Sequence, residues 1–329
     1  MRIAFFGKSK RHTRTTTYIA RALSREGHRV WWVNERKRAR LLGRSAAHAL
    51  TLRRLARFRP ELVLIHANDV LPETFEAVAS RHRTALFTPD CWSRPLEREA
   101  LALARRVDLL LTVAPGQIPD FLAAGVRRAG FLAEACDPEA HHPVARPRAC
   151  FVSDVAFIGK TDAGSPRVAA RAALVAKVCQ RFDTRVYGRG WEPLGITPGR
   201  QDVYPREYRE ICSGAKIVLG RDWTTDCAGY TSNRTWFTLG CGGFLLTSHS
   251  PGLEALAADR RHLVFYRSDD ECLELIEHYL ARPEERRRIA EAGRAFALAH
   301  RTYRHFVRDL VAHVEGKTPA FPPERPELA

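Results

Sequence analysis

Lysine supplies only seven of the 53 basic residues, methionine occurs once, and no window stays apolar for the roughly 20 residues that a bilayer crossing needs. A membrane-spanning helical protein is therefore excluded by the sequence. The apolar start of "MRIAFFGKSK" is too short for a signal-peptide core and has no small-residue cleavage site after it, so secretion has no support and the cytoplasm is the expected location. Pairs of the form C-x-x-C are missing too. The eight cysteines, at 91, 136, 150, 179, 212, 227, 241 and 272, are scattered with no His/Cys cluster at zinc spacing, which argues against a disulfide framework and against a bound metal. We expect no metal site and buried free thiols.

The 329 residues exceed what one ordinary core supports, so two domains of about 150 residues each are expected. Apolar content of 45% with 27% charged residues suits a globular chain. A net charge of +16 would ordinarily point to nucleic acid, an anionic membrane or a phosphorylated small molecule. The arginines, however, are spread along the whole chain among many alanines. Nucleic-acid binding would gather them in one stripe beside stacking aromatics, so no nucleic-acid partner is expected. A basic surface does permit peripheral contact with anionic lipid or an anionic glycan.

Short continuous apolar runs alternate with amphipathic segments. "RIAFF", "RVWWV", "ELVLI", "TALFT" and "DLLLTV" read as strands, with helical spacing between them and Gly27 as a helix stop. After a stretch rich in proline, histidine and charge, the alternation restarts with "DVAFIG", "TRVYG", "AKIVLG", "GFLLT" and "HLVFY". Helices are expected at 166–181, 205–213, from about 232, at "GLEALA" and at 269–281. Fully apolar strands separated by helices imply parallel sheets covered on both faces. The fold class is α/β, with two Rossmann-like doubly wound domains facing across a cleft. The expected boundaries are 1–140, a linker at 141–153, 154–300, a helix at 301–315 and a disordered proline-rich tail at 316–329.

Ligands of such sheets lie at the carboxyl ends of the strands. "TSNRTWFTLGCGGFLL" (231–246) places Ser232, Asn233 and Arg234 where a helix begins, so unsatisfied amides and a guanidinium fork would meet an anion there. The alternative is a plain Ser232 cap with Arg234 in solvent. Gly240, Gly242 and Gly243 would let the chain turn and let backbone approach a ligand or a strand. "FIGK" ends a strand at Gly159 and Lys160, and "VYGRGW" brings Gly188 and Arg189 to the same kind of edge. In the first domain Gly7 and Lys8 follow the first strand, where backbone could approach a bound ligand. His66 and Asp90 follow later ones at the ligand edge and are candidates to contact a bound substrate, against readings as a turn histidine and an Asx-turn or cap. His141 and His142 read as solvated hinge residues. Trp31, Trp32, Trp191 and Trp223 read as strand or core residues, the last two with base or sugar stacking as the alternative.

The run from "SNRTWFTLGCGGFLL" to "HRTYRHFV", preceded by "DVAFIGK", "YGRGW" and "EYREICSGAKIVLG", resembles the spore-maturation (CgeB-like) branch of GT-B glycosyltransferases, related to glycosyltransferase family 4. The resemblance covers about 154–307; the first half agrees in pattern, and "ACDPEAHHP" resembles the family's interdomain hinge. It implies sugar transfer from a nucleotide-diphosphate donor without a required metal or further cofactor, with retention of configuration. The second domain would hold the nucleotide and the first an unidentified acceptor. Lys160, Arg189 and Arg234 would stabilise the departing diphosphate. The family pattern N-R-x-F-E-x-L-A-C-G has a glutamate for the donor ribose where this chain has Phe237, which cannot accept a hydroxyl hydrogen bond. Either Asn233, Asp222 or Glu254 takes over, or the chain is an inactive nucleotide- or glycan-binding module.

Overall fold

The computed structural model describes residues 1–8, 15–93, 96–162 and 164–322. The chain divides into two compact units, Met1–Glu134 with Tyr303–Ala320, and Ala135–Thr302 with Phe321.

In the first unit β1 (Arg2–Phe6), β2 (Arg29–Val33), β3 (Leu62–His66), β4 (Thr84–Thr88), β5 (Leu109–Thr112) and β6 (Ala129–Phe131) form a parallel sheet in the order β2-β1-β3-β4-β5-β6. Helices α1 (Thr15–Arg25), α2 (Glu35–Leu42), α3 (Arg44–Phe58), α4 (Pro72–Ala79), α5 (Arg98–Ala104) and α6 (Ile118–Ala123) connect the strands. Ile3 through Phe6 and Leu62 through Ile65 are buried on both faces, which is why these strands read as unbroken apolar runs and not as alternation. β6 lies in a segment with no strand reading of its own; its pairing with β5, Gly130 opposite Leu111, supplies what the local sequence does not.

In the second unit β7 (Ser153–Ile158), β8 (Thr184–Tyr187), β9 (Ala215–Gly220), β10 (Leu245–Ser248) and β11 (Val264–Tyr266) run parallel in the order β11-β10-β9-β7-β8. They are joined by α7 (Pro166–Arg181), α8 (Pro205–Gly214), α9 (Asn233–Gly240), α10 (Asp269–Leu280) and α11 (Pro283–His300). The expectation of two Rossmann-like sheets is borne out. "GLEALA" forms only a single 3-10 turn at Leu253–Ala255, which follows a left-handed Gly252 and ends before the bridge between Asp259 and Leu263.

The last helix, α12 (Tyr303–Glu315), returns to the first unit. Tyr303 stacks on Tyr18 at 5.5 Å and donates to a Glu134 carboxylate oxygen at 3.0 Å. Beyond it, in the stretch read as a disordered tail, Phe321 is buried in the second unit against Trp236 and under the Arg301 guanidinium, which gives an apolar anchor to the part that is described. Residues 323–329 of that tail lie outside the described residues.

The second unit also carries a pH-sensitive contact. His262 is buried, stacks on Phe296 at 4.2 Å, and accepts the Ala258 amide at Nδ1, so burial followed by the Arg261 charge holds its pKa down at about 4. A depressed folded pKa means that the unfolded chain binds the proton first. The associated stability is fully present above about pH 6.5 and lost as pH falls toward 4. Its ceiling is about 3 kcal/mol. Urea midpoints measured at pH 7 and pH 5 should fall in the wild type, and the part of that fall due to this ring should vanish in His262→Asn.

Candidate functional site

Strand order reverses at β7 in the second sheet, with β8 on one side and β9 on the other, so the loops leaving β7 and β9 open a crevice at a topological switch point. Arg234 reaches this crevice. It lies in the first turn of α9, its Nη2 is 2.9 Å from Asp222 Oδ1, and its Nη1 is 3.5 Å from the Ile158 carbonyl at the end of β7. A Cβ placed on Gly159 would stand 2.6 Å from that nitrogen, so the guanidinium occupies the space a side chain there would need.

Asp222 also accepts the Ser232 amide at 3.2 Å, which fixes the loop that starts α9. Ser232 does not cap the helix with its hydroxyl; the hydroxyl accepts from Arg234 Nε at 3.3 Å. Burial would lower the Arg234 pKa, and the adjacent Asp222 carboxylate more than offsets it, so the guanidinium stays charged. Its side chain remains 25% exposed, enough to present one edge to a ligand. Behind it, between Ile158, Tyr208 and Thr238, is a cavity of about 10 Å³, room for about one water, so a ligand would bind on the solvent side.

The loops after β7 and β8 are joined backbone to backbone. Gly159 donates to the Tyr187 carbonyl at 2.8 Å and Thr161 to the Arg189 carbonyl at 2.9 Å. Gly188 and Gly190 are required by this approach, since a Cβ on them would lie 2.3 Å from the Gly159 carbonyl oxygen and 2.0 Å from that of Thr161. Trp191 is fully buried and donates from its indole to the Gly159 carbonyl at 2.8 Å, which settles it as core. Lys160 is exposed beside this junction. Arg189 is exposed too, but its fork is taken by Asp202. Gly159, Lys160, Gly188 and Arg189 therefore lie on two joined loops, and Arg234 reaches the first of them beside Gly159 from the start of α9, next to Ser232 and Asn233.

Gly242 and Gly243 do not join them. They follow the carboxyl end of α9, about 12 Å along the helix from Ser232, and lead into the amino end of β10. A Cβ on Gly242 would meet Pro143 and one on Gly243 would meet Thr238 and Cys212, so packing within the second unit accounts for both. His141 is another correction. It is buried, accepts the Asp137 amide at Nδ1, and stacks on Phe237 at 3.9 Å. Phe237 thus fills a hydrophobic seat against His141 and Tyr208. His142 contacts the Pro143 carbonyl and Arg209. Trp223 packs edge-on against Tyr230.

The sequence reading missed Arg171. This buried α7 residue donates to the Arg221 carbonyl at 3.0 Å and the Lys160 carbonyl at 3.1 Å, tying the β7 and β9 loops together. Burial, then the Arg234 charge, lowers its pKa to about 10, still leaving it a cation. The signal was present, because Arg171 lies on the same helical stripe as Leu174, Val175 and Val178.

In the first sheet the order reverses at β1, and the loops beyond β1 and β3 gather polar groups in the same way. Gly7 accepts the Trp32 indole N–H at 3.0 Å. The Lys8 amide donates to Asp69 at 3.0 Å, and its ammonium is 3.3 Å from the same carboxylate. His66 Nδ1 is 3.7 Å from Asp69 Oδ2, and the ring packs edge-on against Phe87. Burial raises the Asp69 pKa, but the His66, Lys8-amide and Lys8-ammonium contacts outweigh it, so the net shift is downward. Asp90 is exposed beyond β4. Among the described residues no His, Cys, Asp and Glu cluster could hold a metal ion, and no helix is long and apolar enough to cross a membrane.

Residues 167–312 match the family model described as glycosyl transferase-like. Residues 1–142 match a second model, described as a CoA binding domain. No curated protein matches the sequence. Solved structures share the fold across nearly the whole chain. Sucrose-phosphate synthase from Thermosynechococcus elongatus superposes with a TM-score of 0.70 at 11% identity, over 95% of this chain and 98% of that one. Anabaena HepE, solved with UDP and glucose, gives 0.68 at 11% identity over 96% and 100%. An E. coli trehalose-6-phosphate structure bound with UDP-2-fluoro glucose gives 0.67 at 12% over 97% and 100%. The fold is therefore GT-B-like, and the glycosyl transferase-like match covers most of the second unit and runs on into α12. The family match begins after Lys160 and includes Arg171, Arg189 and Arg234.

Proposed function

We propose that this chain transfers a sugar from a nucleotide-diphosphate sugar to an acceptor, with retention of configuration and without a metal, as a CgeB-like relative of the family 4 enzymes. The observation that carries the reading is Arg234: a charged fork, held by Asp222 at the start of α9, delivered to the switch point beside Gly159. When the bond from the anomeric carbon to the diphosphate oxygen breaks, negative charge grows on the leaving group. Cations and helix amides that stand ready for that charge lower the barrier. Arg234 and Lys160 supply the cations, with Arg189 available if it exchanges Asp202 for phosphate. The acceptor falls to the first unit, whose carboxyl edge carries Lys8, His66 and Asp90. Neighbours of the same fold are described as bound to UDP or UDP sugars, which makes uridine donors the first to try.

Mixing the protein with UDP, GDP, ADP and dTDP sugars and following nucleotide diphosphate release tests the reading. Release or transfer with one donor is expected. Tight diphosphate binding with neither would favour the silent binding module, and no binding at all would remove both.

Glu254 is our choice for the ribose in place of the family glutamate. It lies in the loop beyond β10, is half exposed, and is held by His249 at 2.6 Å and Arg267 at 3.7 Å. Asp222 is already committed to Arg234 and Ser232. Glu254→Gln is expected to raise the donor KM about tenfold with little change in kcat, as befits a contact present equally in ground and transition states. An unchanged KM would reassign the ribose.

A further inference from the structure

The α2–α3 hairpin of the first unit is one-sided in charge. From Arg36 to Arg59 it carries Arg36, Lys37, Arg38, Arg40, Arg44, Arg53, Arg54, Arg57 and Arg59, with no acidic residue; the nearest, Glu35, is fully buried and bonds to the Leu71 amide and Thr74. Arg44 pairs with Glu73, while Lys37, Arg53 and Arg57 meet no carboxylate among the described residues. Arg38 and Arg54 both lie over the Trp31 ring, and burial followed by the Arg54 charge lowers the Arg38 pKa against the opposing pull of Glu35, so like charges stand close together here.

The same hairpin exposes large apolar side chains. Leu41 is 72% exposed, Leu42 54% and Leu50 44%, three of the handful of large hydrophobics so exposed among the described residues. Leu41 and Leu42 end α2 in a run exposed from Arg40 to Ala46. Leu50 shares the exposed face of α3 with Ala46, Arg53, Arg54 and Arg57, at helical spacings of three, four and seven. Exposed leucines cost free energy in water, and cations beside them suit a surface that is negative outside and apolar just beneath. A nucleic acid would want aromatic platforms here, and the exposed apolar residues are leucines.

We propose that this hairpin is a docking surface for an anionic lipid bilayer, the arginines and Lys37 meeting headgroup phosphates and Leu41, Leu42 and Leu50 entering the interface. The proposal is independent of the sugar-transfer reading, since none of these residues belongs to the switch-point site.

Flotation of the full chain with vesicles tests it. Binding is expected to phosphatidylcholine mixed with phosphatidylglycerol, not to phosphatidylcholine alone, and to weaken as salt shortens the screening length. Arg53→Gln with Arg57→Gln should lower the partition coefficient about 25-fold, roughly fivefold for each charge. Leu41→Ser with Leu42→Ser should remove the salt-resistant remainder, about tenfold or more for each side chain. All four positions are exposed, and thermal melts should confirm that both variants fold. No flotation, equal binding to uncharged vesicles, or unchanged binding by both folded variants would overturn the proposal. A dimer that the leucine variant dissociates, without vesicle binding by the wild type, would assign the face to a second copy. Salt-sensitive binding of single-stranded RNA in place of vesicles would assign it to nucleic acid.

Discussion

Replacing Arg234 with lysine should lower kcat/KM about a hundredfold, and replacing it with alanine about a thousandfold, while Arg234→Lys leaves folding stability close to that of the wild type. The split follows from what the side chain does. Its contact with Asp222 is an ion pair that an ammonium can partly retain, and Asp222 is only 13% exposed, so complete removal leaves a buried carboxylate without its cation. Breaking such a pair destabilises by about 3 kcal/mol. Activity depends on something else, a planar fork that can hold Asp222 with one nitrogen and a phosphate oxygen with another, and lysine lacks this geometry. Arg234→Met with Asp222→Asn separates the two roles: stability should return and activity should not. Wild-type kcat/KM in Arg234→Lys, or activity restored in the double variant, would dismiss Arg234 as a phosphate ligand and leave it a structural arginine.

The two sheets were legible because both are covered on both faces, so each buried strand appears as a continuous apolar run between amphipathic stretches. Part of the candidate site was legible for a similar reason. Ser232 and Arg234 stand where apolar spacing begins, and glycines end the strands before Lys160 and Arg189. What the chain hides is the partner of each charge. Asp222 and Arg234 are separated by a loop, and nothing local marks Asp222 as the carboxylate that orients the fork. Arg171 was hidden by its type, since an arginine on an apolar stripe reads as an interruption until carbonyls from two distant loops are seen to receive it. Gly242 and Gly243 misled by proximity: ten and eleven residues from Ser232 in sequence, they are carried by α9 to the opposite edge of the sheet. The substitution of Phe237 for the family glutamate also gains a physical reason, because His141 from the linker lies flat on its ring.

The largest effect on stability should come from a methyl group. Gly190 has φ +89 and a Cβ there would lie 2.0 Å from the Thr161 carbonyl oxygen, whereas Gly195, five residues on and also left-handed at φ +72, has nothing within 4 Å of the same position. Alanine at 195 pays only the left-handed backbone penalty, about 1 kcal/mol. At 190 that penalty is joined by a clash with backbone that cannot rotate away, because Thr161 is fixed by its own bond to the Arg189 carbonyl. The loops must part, and Gly190→Ala should cost about 3–4 kcal/mol. Urea midpoints of the two variants measure the difference directly. Parting these loops also disturbs the Gly159–Lys160 segment against which Arg234 lies, so at temperatures where Gly190→Ala remains folded it should still turn over donor at least tenfold more slowly, while Gly195→Ala keeps wild-type kcat. Equal stability costs at the two positions would mean that the β7 and β8 loops move independently. In that case the crevice is not preorganised, and the electrostatic account of leaving-group departure loses the fixed geometry it requires.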